Sequence, residues 1–264
     1  MLVAGSYSAF RNRRLGKQVM TDKPTHHMQD WLDLHGLTMA SCTSLLETVE
    51  ECAKESQRTT SATDPETWPS GLSLWSVVVS ALTVQLPDLG TDIARASTDA
   101  IVNFSPELNR HPRAFTLYIP EKNRIYTSCP LSNSAQDVVV VAHEFGHVLQ
   151  LHFVADPPLV PVLRETCAFL AEELVLKALP ELRSDLMPPV SCAIAASRAQ
   201  ALGRMRNDLL RAVKDATAPY DYNWNYPPAR IMASHLAQPG NNQLRNRLFR
   251  GEISLLGLRK YLHL

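Results

Sequence analysis

The chain is 264 residues long, 45% hydrophobic and 20% charged, an ordinary globular composition that excludes a disordered protein. Lys+Arg and Asp+Glu are both 26, so the balance of charge gives no basis for binding nucleic acid or an anionic membrane surface. No apolar run approaches the roughly 18 residues that span a bilayer.

In chain order, residues 1–27 predict a flexible arm. "MLVAGSYSAFRNRRLGKQVM" has no positive n-region leading into an apolar h-region and does not read as a secretory signal. Its Arg11, Arg13, Arg14 and Lys17 read as a solvated tail. Five scattered cysteines (Cys42, Cys52, Cys129, Cys167 and Cys192) with no C-x-x-C fit reduced thiols and a cytoplasmic setting. Residues 28–66 predict a helical N-terminal segment and a linker. The helical pattern starts near Met28, continues through "SLLETVEECAKES" and stops at the polar "QRTTSATDPETWPSG".

Residues 67–264 are expected to form the main domain. "LSLWSVVVSALTVQL" (72–86) is apolar nearly all round and predicts a buried helix, with another helix over 91–103. Phe115–Ile119 and Arg124–Ser128 are β-rich and flank Pro-Glu-Lys-Asn, which predicts a hairpin. Next, "SNSAQD" offers an N-cap at Asn133 or Ser134 and an early acid, Asp137, to open a helix. Helices are expected over about 163–179 and 189–216, another near Pro227 and Pro228, and one or two at the C-terminus. The fold class is mainly α with one small β element.

The helix opened by Asp137 carries "VVVVAHEFGHVLQ". Residues four apart share a helix face, so His143 and His147 point the same way and can hold one metal ion, with Glu144 beside them. This is H-E-x-x-H, in which zinc acidifies a water and the glutamate takes its proton. Two histidines and a glutamate are costly inside so apolar a helix without a partner. Gly146 costs about 1 kcal/mol relative to alanine there, which a close approach by another backbone would explain. Gln150 and Phe153 stand where a metzincin has Gly and His, and His152 lies on another face. The third ligand is therefore sought in "LRETCAFLAEELVLKAL", which offers Glu165, Glu172 and Glu173. Glu165 is favoured as ligand, while Glu172 and Glu173 also fit a solvated stripe. Cys129 and Cys167 read as small core residues.

These segments resemble the thimet oligopeptidase and oligoendopeptidase F family of zinc metallopeptidases. The family has an Asp six residues before the first histidine, as Asp137 stands before His143, and favours H-E-x-G-H, matched by Gly146. Its E-x-x-S-x-x-x-E-x-L pattern is matched at Glu165, Glu172 and Leu174, with Ala168 standing where the family has its small residue. The resemblance covers roughly 113–262 and implies a zincin-like catalytic domain lacking most of the family's N-terminal helical part. It assigns Glu165 as the third zinc ligand, with Glu172 and Asp137 as acids supporting the site. It also places oxyanion-stabilising tyrosines in "APYDYNWNYPPAR", where Tyr226 is the first candidate, Tyr222 the second, and Tyr220 is expected to touch substrate.

The expected activity is hydrolysis of oligopeptides by one zinc ion per chain. The peptide is expected to add as a strand along Arg124, Tyr126 and Ser128. Two alternatives use the same site: a protease aimed at one specific protein, as in an effector or toxin, and a zinc-binding interaction protein without turnover. The expected partner is a peptide or protein substrate, with neither nucleic acid nor membrane.

Overall fold

The computed structural model describes residues 26–48, 65, 67–105, 113–155 and 159–264. It is mainly helical, with one small sheet. Most of the N-terminal arm and of the linker lie outside the described residues, as does Cys52. The other four cysteines are free, and Cys129 and Cys167 are buried in the core.

The helical pattern after Met28 is two helices, not one. Helix α1 (Met28–His35) ends at Gly36, whose φ of 61° is a left-handed cap. Thr38 and Ser41 then cap each other to start α2 (Met39–Glu47). Both helices send side chains, including Trp31, Leu32, Leu45 and Leu46, into the same core as the rest of the chain.

Helix α3 (Gly71–Gln85) buries Leu74, Trp75, Val78, Ala81 and Leu82. Its other face is open, with Leu72 73% and Val84 52% exposed, so it is buried on one side and not all round. Helix α4 (Gly90–Asp99) stops short of the expected 103, because Ile101–Asn103 form a strand, β1.

The hairpin has the expected bounds, β2 (Phe115–Ile119) and β3 (Arg124–Ser128). Its turn closes on Asn123 in the left-handed region, φ 47°, which Asn tolerates better than most residues. The sheet order is β1-β3-β2, with β1 parallel to β3 and β2 antiparallel. Tyr126 faces Ile101 on one side and Leu117 on the other, and Ser128 lies between Asn103 and Phe115. This corrects the expectation that a peptide adds along Arg124, Tyr126 and Ser128. β3 is the central strand, and the Arg124 guanidinium donates to the Asp99 carbonyl (3.1 Å). Among the described residues β1 and β2 are the edge strands, each paired on one side only.

Helix α5 (Ala135–Phe153) carries the motif and starts at Ser134, in a reciprocal cap with Asp137. Helix α6 (Pro161–Leu182) opens on a proline at its first position, where a missing N–H costs nothing. The two cross so closely that a Cβ on Gly146 would lie 2.7 Å from the Ala168 Cα and 2.8 Å from the Cys167 carbonyl. The expected close backbone approach is therefore between these two helices.

The long helix expected over 189–216 is α7 (Met187–Gln200), a π-helical turn (Ala201–Met205) and α8 (Arg206–Ala212) in one run. A loop and a 3-10 turn (Tyr222–Asn225) lead to α9 (Tyr226–Leu236), with Pro227 and Pro228 in its first turn. Helices α10 (Asn242–Phe249) and α11 (Leu255–Leu262) close the chain. Among the described residues no single helix is long and apolar enough to cross a membrane.

Candidate metal centre

The site forms where α5 crosses α6. Because Gly146 and Ala168 let the helices nearly touch, side chains one turn to either side meet across the gap. His143, His147 and Glu165 each bring one donor atom to a cluster in which all lie within 4.8 Å of one another. His143 Nε2 is 3.5 Å from Glu165 Oε2, and His147 Nε2 is 3.8 Å from Glu165 Oε1. Glu165 Oε2 and His147 Nδ1 are buried with no hydrogen-bond partner. Two imidazoles and a carboxylate converging at this spacing, with a buried carboxylate oxygen left unsatisfied, are a donor set that fits a zinc-sized cation.

The charges follow from the packing. Burial works against a proton on His143, yet the Glu165 and Glu172 carboxylates beside it prevail and lift its pKa to about 10. Burial leaves His147 neutral, with a pKa lowered to about 3. Glu165 is buried too, but His143, His147 and Tyr222 outweigh that and hold its pKa at about 2.

Behind His143 stands Glu172, whose Oε1 accepts from the ring Nδ1 at 2.7 Å. Glu172 and Glu173 are both buried, so the solvated stripe is excluded. Burial opposes the Glu172 charge, and Arg230 and His143 outweigh it, so its pKa lies below the usual range. Asp137 is not behind a histidine. It accepts from the backbone amides of Ser132 (2.9 Å) and Ser134 (3.2 Å), and so serves the start of α5. His152 faces Asp92 at 3.9 Å, away from the cluster.

Glu144 points to the β2 side. Its Oε2 accepts from the Thr116 hydroxyl at 2.7 Å, and Thr116 is in turn hydrogen-bonded to Thr127. Burial raises the Glu144 pKa to about 7, against the pull of His143 and Thr116.

The three tyrosines separate by partner. The Tyr220 hydroxyl accepts from Asn225 Nδ2 (3.0 Å). Tyr222 donates to Glu165 Oε1 (2.6 Å), directly behind a donor of the cluster. Tyr226 stacks edge-on against Phe169 and Tyr222, and its hydroxyl has no hydrogen-bond partner among the described residues. It lines a pocket with His143, Phe169, Ser197, Gln200, Ala201 and Met205, formed by α5, α6, α7, α9 and the π-helical turn.

Four residues at the site went unrecognised in the sequence: Thr116, Phe169, Arg198 and Arg230. Thr116 gives no signal, because a threonine in a strand is unremarked. Arg230 does give one, as the lone charge in "PPARIMASHLA" on the buried face of α9.

No family model matches the chain, and neither a curated protein nor a solved structure matches it.

Proposed function

We propose that the chain is a zinc-dependent endopeptidase of the zincin type, akin to the thimet oligopeptidase and oligoendopeptidase F family. One observation carries this reading: His143, His147 and Glu165 meet within 4.8 Å, with the buried Glu144 carboxylate on the adjacent residue. His143, His147 and Glu165 would hold zinc, which when bound would supply the Lewis acidity that acidifies a water and polarises a carbonyl. Glu144 takes the proton of the attacking water and returns it to the leaving amine. Thr116 fastens Glu144 from β2 and fixes its aim. Tyr226, whose hydroxyl is uncommitted, donates to the oxyanion. The peptide pairs along the outer edge of β2, the strand that reaches Glu144.

The test is metal content together with cleavage of a mixed peptide library, comparing wild type with Glu144→Ala. Wild type is expected to hold one zinc and cut peptides, and the variant to keep its zinc and lose cutting. Zinc in both with no cutting by either would end the oligopeptidase reading.

A further inference from the structure

Arg230 is the largest fully buried side chain in the described core, and it touches no donor of the metal cluster. From α9 it reaches into the seam between α6 and α7. Its Nη2 donates to Glu172 Oε2 (2.7 Å) and Ser197 Oγ (2.8 Å), and its Nη1 to Glu173 Oε1 (3.4 Å). Arg198 on α7 holds Glu173 from the other side, through Nε to Oε1 at 2.8 Å and a second contact through Nη2. Two guanidiniums and two carboxylates thus alternate in a chain that is buried except at Arg198, which is half-buried.

Such a chain is a poor device for stability alone. Taking three charged groups fully out of water is costly before their attraction offsets it, and apolar residues of similar volume often do as well or better. Its arrangement points elsewhere, because one end is tied to the metal cluster. Glu172 uses Oε2 for Arg230 and Oε1 for His143 Nδ1, so the guanidinium fixes the carboxylate that fixes the ring. A second path runs through Phe169. The Arg230 guanidinium lies 3.8 Å from the Phe169 ring centroid, and that ring meets the His143 ring edge-on at 5.3 Å. Both paths constrain which way His143 Nε2 faces.

We propose that Arg230 is a positioning residue for the metal centre: through Glu172 and Phe169 it orients His143, so metal affinity depends on a side chain that never touches the ion. This rests on the metal reading above, though not on any peptidase activity. A carboxylate–histidine pair sets ring orientation and ligand basicity, and loss of such a partner weakens metal binding by about 10–100-fold. Arginine suits the task, since its planar fork engages Glu172, Glu173 and Ser197 together, which a lysine ammonium on its flexible stem does not reproduce.

The experiment measures zinc affinity of the full chain by competition with a chromophoric chelator, for wild type, Arg230→Met, Arg230→Lys, Glu172→Gln and Arg230→Met/Glu172→Gln. Circular dichroism and thermal melts establish which variants fold, and the cobalt-substituted visible spectrum reports ligand geometry. Arg230→Met is expected to lose about 10–100-fold in affinity and to change the cobalt spectrum, with Arg230→Lys in between. The double variant is expected to lose less than the sum of the two single losses, because the path through Glu172 is shared by both residues. If Arg230→Met does not fold, Arg230→Lys and Glu172→Gln carry the test. Folded Arg230 variants with wild-type affinity and spectrum would overturn the proposal, as would additive losses in the double variant. A wild-type chain that binds no zinc or cobalt sinks both this proposal and the metal reading. One that binds tightly but cuts no peptide sinks the peptidase reading only, and the affinities still decide the role of Arg230.

Discussion

Tyr222 and Tyr226 lie one helical turn apart in sequence, yet their hydroxyls have different tasks. Burial raises the pKa of both, further helped by the Glu165 charge, so each is a neutral O–H donor at pH 7. Tyr222 already donates to Glu165, whereas the Tyr226 hydroxyl has no partner among the described residues and, on the proposed peptidase reading, is the one to donate to a substrate. Tyr226→Phe is therefore expected to lower kcat by about 100-fold or more, leaving KM and zinc content nearly unchanged. Tyr222→Phe is expected to weaken zinc binding by about tenfold, because Glu165 loses the group that fixes it. Steady-state kinetics and chelator competition separate the two, and an exchange of these outcomes would reverse the roles. The spacing of "YDYNWNY" puts three hydroxyls near one another but does not say which is spare. That depends on Asn225 holding Tyr220 and on Glu165, from another helix, holding Tyr222.

At the scale of elements, the crossing of α5 and α6 sets the site. A methyl group on Gly146 has no room, since its nearest neighbours are backbone atoms of Cys167 and Ala168. Alanine improves helix propensity by about 1 kcal/mol, but overpacking at a backbone contact costs about 1–3 kcal/mol, so the helices must part. Gly146→Ala is expected to lose on the order of 1–2 kcal/mol in urea unfolding and also to bind zinc more weakly, as Glu165 withdraws from the two histidines. Unchanged zinc affinity would mean that the cluster does not depend on this contact. The glycine, the histidine spacing and the capping acid are all local features, so α5 was legible down to its cap. The hairpin was equally legible, because its β-rich runs flank a four-residue turn. Strand β1 was not, because three residues such as Ile-Val-Asn become a strand only when β3, more than 20 residues later, lies beside them. Without β1 in view, β3 looked like an edge.

Across the whole molecule, the first described residues are clamped onto the tyrosine loop. Met28 N–H donates to the Ala218 carbonyl (2.9 Å), Tyr220 N–H to the His26 carbonyl (2.8 Å), and Trp31 Nε1–H to Asn225 Oδ1 (2.9 Å). His35 ties the same segment to α6: its Nδ1–H donates to the Trp31 carbonyl (2.7 Å) and its Nε2 accepts from Val162 N–H (3.3 Å). Both nitrogens are thus committed in the neutral ring. Burial lowers the His35 pKa to about 4, against the opposing bond to Trp31. The unfolded chain takes up this proton near pH 6.5, before the folded one does, so His35 costs no stability above pH 6.5. As pH falls from 6.5 to 4, stability drops by about 3 kcal/mol from this group, and it levels off below. Comparing urea midpoints of wild type and His35→Leu across that range isolates the effect. The variant is expected to be less stable at pH 8, with Val162 N–H unpaired, and to show a shallower acid slope. Parallel profiles would rule His35 out as a source of acid sensitivity.

Local signals along the chain carry the mainly helical class, the hairpin and its turn, the motif helix with His143, Glu144 and His147 on one stretch, and a following helix whose Glu165 is favoured to meet them. These follow from periodicity, capping and spacing, which act over a few residues along the chain. What needed the folded chain is that β3 is central, that Tyr222 donates to Glu165, and that Arg230 and Phe169 stand against Glu172 and His143. Each of those facts is a contact between groups tens of residues apart. Burial makes such contacts consequential, because polar groups removed from water must find their partners wherever the packing of helices brings them.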